Sequence, residues 1–292
     1  MVLILSKYLG PCYGVSNAFN SVMSITSNGK VLGDIAHNSV LMKKIKTKKN
    51  ITTIKDIQEI SQGDIVVTRT HGITLEELES IKEKKCQILD QTCIKVKNVH
   101  KIAEKSNLQG KKFILIGDEK HPEVIGIVSR CKNAIVVDSL ESAKILMSNV
   151  QLNQNVVVAS QTTFDEVKFF EIRDFIKKKF PNSKIYNTIC NDSIKRREEI
   201  IKISSSVDIV LVIGSLKSSN SVRLFEVAKK MAKESLILEN PKELDFEKFR
   251  LKNKVFMTSG ASVLKETALE FIDKIFYFCK KNFIEIDLKE SR

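Results

Sequence analysis

The chain has 292 residues, of which 42% are hydrophobic and 28% charged, and it carries a formal net charge of +13. That balance suits a globular protein of one large or two to three small domains, and no run approaches the ~18 apolar residues of a membrane-spanning helix. Lysines are spread along the whole chain, as in KKIKTKKN (43–50), KEKK (82–85) and KKK (177–179), without interleaved aromatics, so the charge reads as solvated helix faces and not as a nucleic-acid groove.

The first predicted element is a strand over 2–6. Its apolar run, Met1 to Leu5, is too short for a signal peptide, so the expected location is the cytoplasm. Six cysteines in a reducing compartment favour metal binding or catalysis over disulfides. No two of them have the CxxC spacing of zinc fingers and thioredoxin-like motifs.

Three features then recur in a fixed order. A cysteine sits between a strand and a helical segment in LGPC (9–12), DQTC (90–93) and NTIC (187–190). An apolar strand ending in Gly and a polar turn follows in VLGDIAHN (31–38), LIGDEKHPEV (115–124) and VIGSLKSSNS (212–221). A second apolar strand ends in hydroxyl-rich residues in VVTRTHGIT (66–74), VVASQTTF (157–164) and VFMTSGAS (255–262).

These repeats predict three similar small α/β units with parallel sheets, in a pseudo-threefold arrangement around a central cluster site. The units span 13–93, 94–190, and 191–280 plus the N-terminal strand 1–12, with 281–292 as a C-terminal tail. In the second unit the pattern predicts strands at 113–116, 134–137, 155–159 and 183–186. Helices are predicted between them at 122–131, 139–149 and 164–179. Ligands of parallel sheets bind beyond the carboxyl ends of the strands, and every polar motif above lies at such an end.

Cys12, Cys93 and Cys190 each precede a helical segment, where a helix N-terminus lowers a thiol's pKa. Three thiolates leave one coordination position open, the mark of a catalytic metal site. Zinc and a [4Fe–4S] cluster both fit this ligand set. Cys86, Cys131 and Cys279 fall inside strand or helix patterns and read as core. His37, His71 and His121 follow strands in matching turns and form a set of directed donors for an anion. His100 lies mid-helix and reads as a surface residue. Ser218, Ser219 and Asn220 open a helix as a phosphate cradle does, and Ser262 adds a hydroxyl at a third helix start. Pro122 suits a first helical position and places Glu123 beside the anion site.

Taken together, the motifs GPCYGV, HN, THG, HPE, QTT, SSN and SGAS, in that order over nearly the whole chain, resemble the LytB/IspH family. The resemblance implies an iron–sulfur reductase with one [4Fe–4S] cluster per chain on Cys12, Cys93 and Cys190. It implies two-electron reductive dehydroxylation of (E)-4-hydroxy-3-methylbut-2-enyl diphosphate to isopentenyl and dimethylallyl diphosphate, the last step of the non-mevalonate isoprenoid pathway. It makes His37, His71, His121, Ser218, Ser219, Asn220 and Ser262 the diphosphate pocket. Thr162 then lies near the substrate hydroxyl, and Glu123 is the proton donor. A ferredoxin or flavodoxin would supply electrons; neither nucleic acid nor membrane is an expected partner. The chain departs from the family pattern at Ile94, where Pro is usual, at Ser193, where Thr is usual, and at Arg197, where Gln is usual.

Two other readings use the same residues. One is a zinc-dependent enzyme acting on a small phosphorylated substrate. The other is a basic nucleic-acid-binding protein with a structural metal, which the clustering of donors at strand ends disfavours.

Overall fold

A computed structural model describes residues 1–147, 155–249 and 253–291. The chain begins with β1 (Val2–Leu5) and α1 (Tyr13–Ser24), then runs through β2 (Gly29–Leu32), α2 (Ser39–Lys46), β3 (Ile51–Ile54), β4 (Ile65–Val67), α3 (Leu75–Glu83) and β5 (Gln87–Leu89). Next come α4 (Ile94–Leu108), β6 (Lys112–Ile116), α5 (Pro122–Val128), β7 (Ala134–Val137), α6 (Leu140–Met147), β8 (Val156–Ser160), α7 (Glu166–Lys179) and β9 (Lys184–Ile185). The last stretch holds α8 (Asn191–Ser204), β10 (Ile209–Ile213), α9 (Ser219–Met231), β11 (Ser235–Leu238), β12 (Lys254–Ser259), α10 (Lys265–Lys281) and β13 (Asp287–Glu290).

The fold is α/β, with three parallel sheets of orders β3-β2-β4-β5, β7-β6-β8-β9 and β11-β10-β12-β1-β13. In each sheet the first strand of the repeat lies between the second and the third, and the fourth pairs with the third. The proposed three-unit division rests on this common order. As expected, β1 supplies the fourth strand of the last sheet, pairing with β12 in the register Leu3↔Val255. The stretch 281–292, expected to be a tail, instead contains β13. It pairs with the other side of β1 (Leu3↔Leu288) and adds a fifth, edge strand.

Two compact units form. One comprises Met1–Met23, Ala36–Lys49 and Asn191–Arg292; the other comprises Ser24–Ile35 and Asn50–Cys190. In the first, β10 reads IVLVI and every residue is buried, as a central parallel strand covered on both faces requires. Alternation along the strand divides the core. Ile209, Leu211 and Ile213 pack with Phe271 and Ile275 of α10. Val210 and Val212 pack with Ile200 of α8 and Leu224 of α9. In the second unit, Phe113, Leu115, Val157 and Ala159 pack under Val99 of α4 and Val124 of α5. Leu32, Ile54 and Val66 pack with Ile81 of α3. Each such Val, Leu, Ile or Phe side chain, fully buried, contributes about 1.5–3 kcal/mol.

Strands β6 to β9 and helices α5 to α7 fall on the predicted segments of the second repeat, with helix ends shorter by up to three residues where they are described. Residues 148 and 149 of the predicted helix 139–149 lie outside the described residues. Among the described residues no helix is long and apolar enough to cross a membrane.

Candidate active site

All three candidate cysteines immediately precede helices α1, α4 and α8. In each case the preceding strand is the fourth of its sheet, and the cysteine is tied to the turn after the third. Cys93 donates its backbone N–H to Thr70 O at 3.0 Å, Cys190 to Thr162 O at 2.8 Å, and Cys12 to Ala261 O at 3.0 Å. One backbone bond, repeated three times, sets each cysteine beside the polar end of its neighbouring strand.

In the unit of residues 24–35 and 50–190, Thr162 links a cysteine to an acid. Its carbonyl accepts from Cys190, as above. Its N–H donates to one Glu123 carboxyl oxygen at 2.6 Å and its hydroxyl to the other at 2.8 Å. Glu123 stands in the first turn of α5, after Pro122 at the first helical position, and only 1% of it is exposed. Burial pushes its pKa from an ordinary 4.5 up to about 7, against the lowering effect of the two Thr162 bonds. Desolvation by the fold is enough to raise it, without any neighbouring charge.

Just before Glu123, His121 caps the same helix: its Nδ1 accepts from the Glu123 N–H at 3.1 Å. The accepting nitrogen carries no proton, so in the neutral ring the proton sits on Nε2. The His71 ring stands edge-on to His121, with centroids 5.5 Å apart.

The thiol of Cys93 departs from expectation. Its pKa is raised, chiefly by burial; bonds from the Lys95 and Val96 backbone oppose the rise, and the neighbouring Cys190 and Glu123 add to it. The helix N-terminus does favour the thiolate, but desolvation and two acidic neighbours outweigh it. A bound cation would reverse that balance, because it supplies the missing positive charge.

In the other unit, Ser218 caps α9 by accepting from the Ser221 N–H at 3.4 Å. Asn220, Ser221 and Ser262 are buried, and Asn220 Nδ2, Ser221 Oγ and Ser262 Oγ have no hydrogen-bond partner among the described residues. Buried polar atoms normally find partners, so a cluster of three orphans on two adjacent turns fits an anion that the protein is built to receive. Two strand-end glycines make room for the Ser221 side chain. A Cβ on Gly214 would lie 2.4 Å from Ser221 Oγ, and one on Gly260 would lie 2.0 Å from it. Ser219 is the first residue of α9. Ser262 was expected at a helix start; it lies in the turn three residues ahead of α10, whose cap is Leu264. His37 is half-buried, and the adjoining Asn38 is buried and caps α2 by accepting from Leu41 N–H at 2.8 Å.

The LytB protein family model matches residues 3–276. The chain belongs to the LytB family. A relative from Campylobacter lari, named 4-hydroxy-3-methylbut-2-enyl diphosphate reductase, is 33% identical over 97% of this chain and all of its own length. A Fusobacterium nucleatum relative of the same name is 32% identical over 94% of this chain; the chain spans about a third (34%) of that longer protein. Among solved structures, the E-1-hydroxy-2-methyl-but-2-enyl-4-diphosphate reductase of Plasmodium falciparum superposes with a TM-score of 0.90 at 26% identity, covering 99% of this chain and 92% of that one. A second structure, titled as the reductase that ends the non-mevalonate pathway, gives 0.69 at 28% identity, covering 96% and 99%.

Within this LytB chain, Ile94 is the first residue of α4 and 56% exposed, so the lost Pro costs no packing. Arg196 is 2% exposed and reaches back from α8 to the loop before Cys12. It donates to Tyr8 O, to Ser259 O at 2.9 Å and to Asp192 at 2.7 Å. Sequence reading gave this arginine no task. It missed Ser221, which lies in the quoted SSNS motif. It also placed His100 on the surface, whereas the residue is 6% exposed. The stripe Val96, Val99, Ala103 on α4 is buried together with position 100, and that periodicity was the available signal. Cys131 and Cys279 are buried as expected; Cys86 is half-buried just ahead of β5, with its thiol near Ser61 O at 3.3 Å.

Proposed function

We propose that this chain is a 4-hydroxy-3-methylbut-2-enyl diphosphate reductase acting in the cytoplasm. It takes the 4-hydroxyl off the allylic diphosphate with two electrons and two protons, releasing water and either isopentenyl or dimethylallyl diphosphate. The observation that carries this reading is Glu123: a buried carboxyl with a pKa of about 7, two bonds from Thr162, and the cysteine Cys190 on the far side of that threonine.

Hydroxide is a poor leaving group, so the departing oxygen needs a proton. An ordinary glutamate is ionised at neutral pH. Glu123 is half-protonated there and is matched to donate. Thr162 fixes both carboxyl oxygens, and its hydroxyl is the group placed to meet the substrate hydroxyl. The diphosphate donors in this reading are His37, His71 and His121, with the orphaned donors of Asn220 and Ser262 beside Ser218 and Ser219. Anchoring the charged end fixes the C–O bond relative to the acid, which is where orientation lowers the barrier.

Cys12, Cys93 and Cys190 would hold a [4Fe–4S] cluster, which supplies the electrons and a Lewis-acidic iron that side chains cannot. The donor set fits: three thiols at helix starts, each tied to the turn beside it, with Cys93 short of a positive charge. A ferredoxin or flavodoxin of acidic surface suits the +13 chain as electron donor.

Purification without oxygen tests the reading. A brown protein with iron and sulfide that reduces the hydroxy diphosphate with a chemical electron donor supports it. A colourless zinc protein without that turnover rejects it in favour of a zinc-dependent enzyme.

A further inference from the structure

His100 belongs to no part of the site above, yet it is buried at 6% exposure and its Nε2 has no hydrogen-bond partner among the described residues. A leucine would fill such a place at lower cost, because an unpaired buried nitrogen is penalised. The ring sits where two backbone segments approach it. A Cβ on Gly72 would lie 2.7 Å from its Cε1 and 3.1 Å from its Nε2. A Cβ on Gly126 would lie 3.8 Å from the same Nε2 and 3.3 Å from Ile73 O. Gly72 follows His71 and holds a left-handed conformation, φ 84°. Gly126 is three residues after Glu123 on α5. Only glycine leaves room for the ring at the first position.

A second side chain joins the same two segments. Arg130, 7% exposed, donates to Ile73 O at 2.9 Å and to Gly126 O, and its Nε pairs with Glu104 of α4 at 3.3 Å. Helix α4 starts after Cys93 and bears both His100 and Glu104. Positions 93, 100 and 104 lie close to one helical face.

We propose that His100 is a positioning residue: its ring is the spacer that sets the Gly72 turn, which presents His71, against helix α5, which carries His121 and Glu123. The ring stays uncharged, with its pKa pushed down to about 3 by burial and by Arg130, so the spacer keeps one form at working pH. Through α4, the same helix face that follows Cys93 holds the two histidines and the acid in register.

The inference rests on the proposed diphosphate site, and binding of isopentenyl diphosphate to the cluster-loaded enzyme separates the two. If the wild type does not bind it, the functional reading fails. Given wild-type binding, His100→Ala is expected to weaken affinity at least tenfold by isothermal titration, with iron per chain unchanged. His100→Gln, uncharged and near in volume, is expected to recover affinity to within threefold of wild type. Gly126→Ala, which crowds Ile73 O at 3.3 Å and meets the His100 ring only at van der Waals distance, is expected to weaken binding as His100→Ala does. Should His100→Ala not fold, the Gln and Gly126 variants decide. Wild-type affinity in Gly126→Ala or in His100→Ala overturns the role, as does a Gln variant no better than Ala. Iron loss in step with affinity also overturns it, because the helix would then serve only the cluster.

Discussion

The carboxyl of Glu123 is held at both oxygens by one residue, Thr162, through its backbone N–H at 2.6 Å and its hydroxyl at 2.8 Å. Both donors favour the ionised acid, and burial still wins. The pair therefore keeps a proton available near neutral pH and fixes its direction. Glu123→Gln keeps shape and removes the acid. Turnover with a chemical electron donor is expected to fall about 100-fold or more, the scale of a positioned acid, while iron content and diphosphate affinity hold. A variant running within a few-fold of wild type removes Glu123 from this role.

The same residue makes stability depend on pH. Its pKa is raised on folding, so the native state binds the proton more tightly, and stability falls as pH rises from about 4.5 to about 7. His100 acts in the opposite sense. Its pKa is lowered from 6.5 to about 3, so stability falls as pH drops through that window. Between pH 4.5 and 6.5 the two slopes, each about 1.4 kcal/mol per pH unit, offset one another. Glu123→Gln lifts one of them. Relative to wild type, the variant is expected to gain on the order of 3 kcal/mol between pH 4.5 and pH 7. Denaturant melts of both proteins across that range measure the difference, and a constant gap contradicts it.

For the cysteines, the prediction is a division of six into three and three. Cys12→Ser, Cys93→Ser and Cys190→Ser are each expected to lose iron, sulfide and activity. Cys86, Cys131 and Cys279 changed to Ala are expected to keep all three. The buried Cys131 and Cys279 then cost only packing, about 1 kcal/mol each. Full iron in any of the first set excludes that cysteine as a ligand.

Diphosphate affinity tests the donors. His121→Ala removes Nε2–H and the cap that Nδ1 gives Glu123 N–H. Asn220→Ala removes an amide donor that has no partner among the described residues. Each is expected to weaken binding by about 1–3 kcal/mol, the range for a charge-assisted bond. The two differ in stability: His121→Ala also costs a helix cap, about 1 kcal/mol, whereas Asn220→Ala relieves an unpaired amide and is expected to melt no lower than wild type. Calorimetric titration and thermal melts read both quantities, and unchanged affinity in both variants rejects the cradle.

By itself the sequence determined the elements and their order. Continuous apolar runs such as IVLVI, and the caps and glycines that punctuate them, are local patterns, and local patterns survive in a linear string. The threefold recurrence placed Cys12, Cys93 and Cys190 each before a helix, and the structure has them there. What lay beyond the string was decided by burial and by bonds between residues far apart in sequence. Position 100 shows a stripe, but not that Gly72 and Gly126 close over it. Arg196 is an ordinary helix arginine until Tyr8 and Ser259 come within its reach. Strand β13 looked like a tail because an edge strand with one paired side needs no apolar run; its pairing with β1 alone makes it a strand. Glu123 gained its pKa only when α5 packed against the turn that holds Thr162. Desolvation depends on every group that excludes water from a site, and those groups are assembled by the tertiary fold.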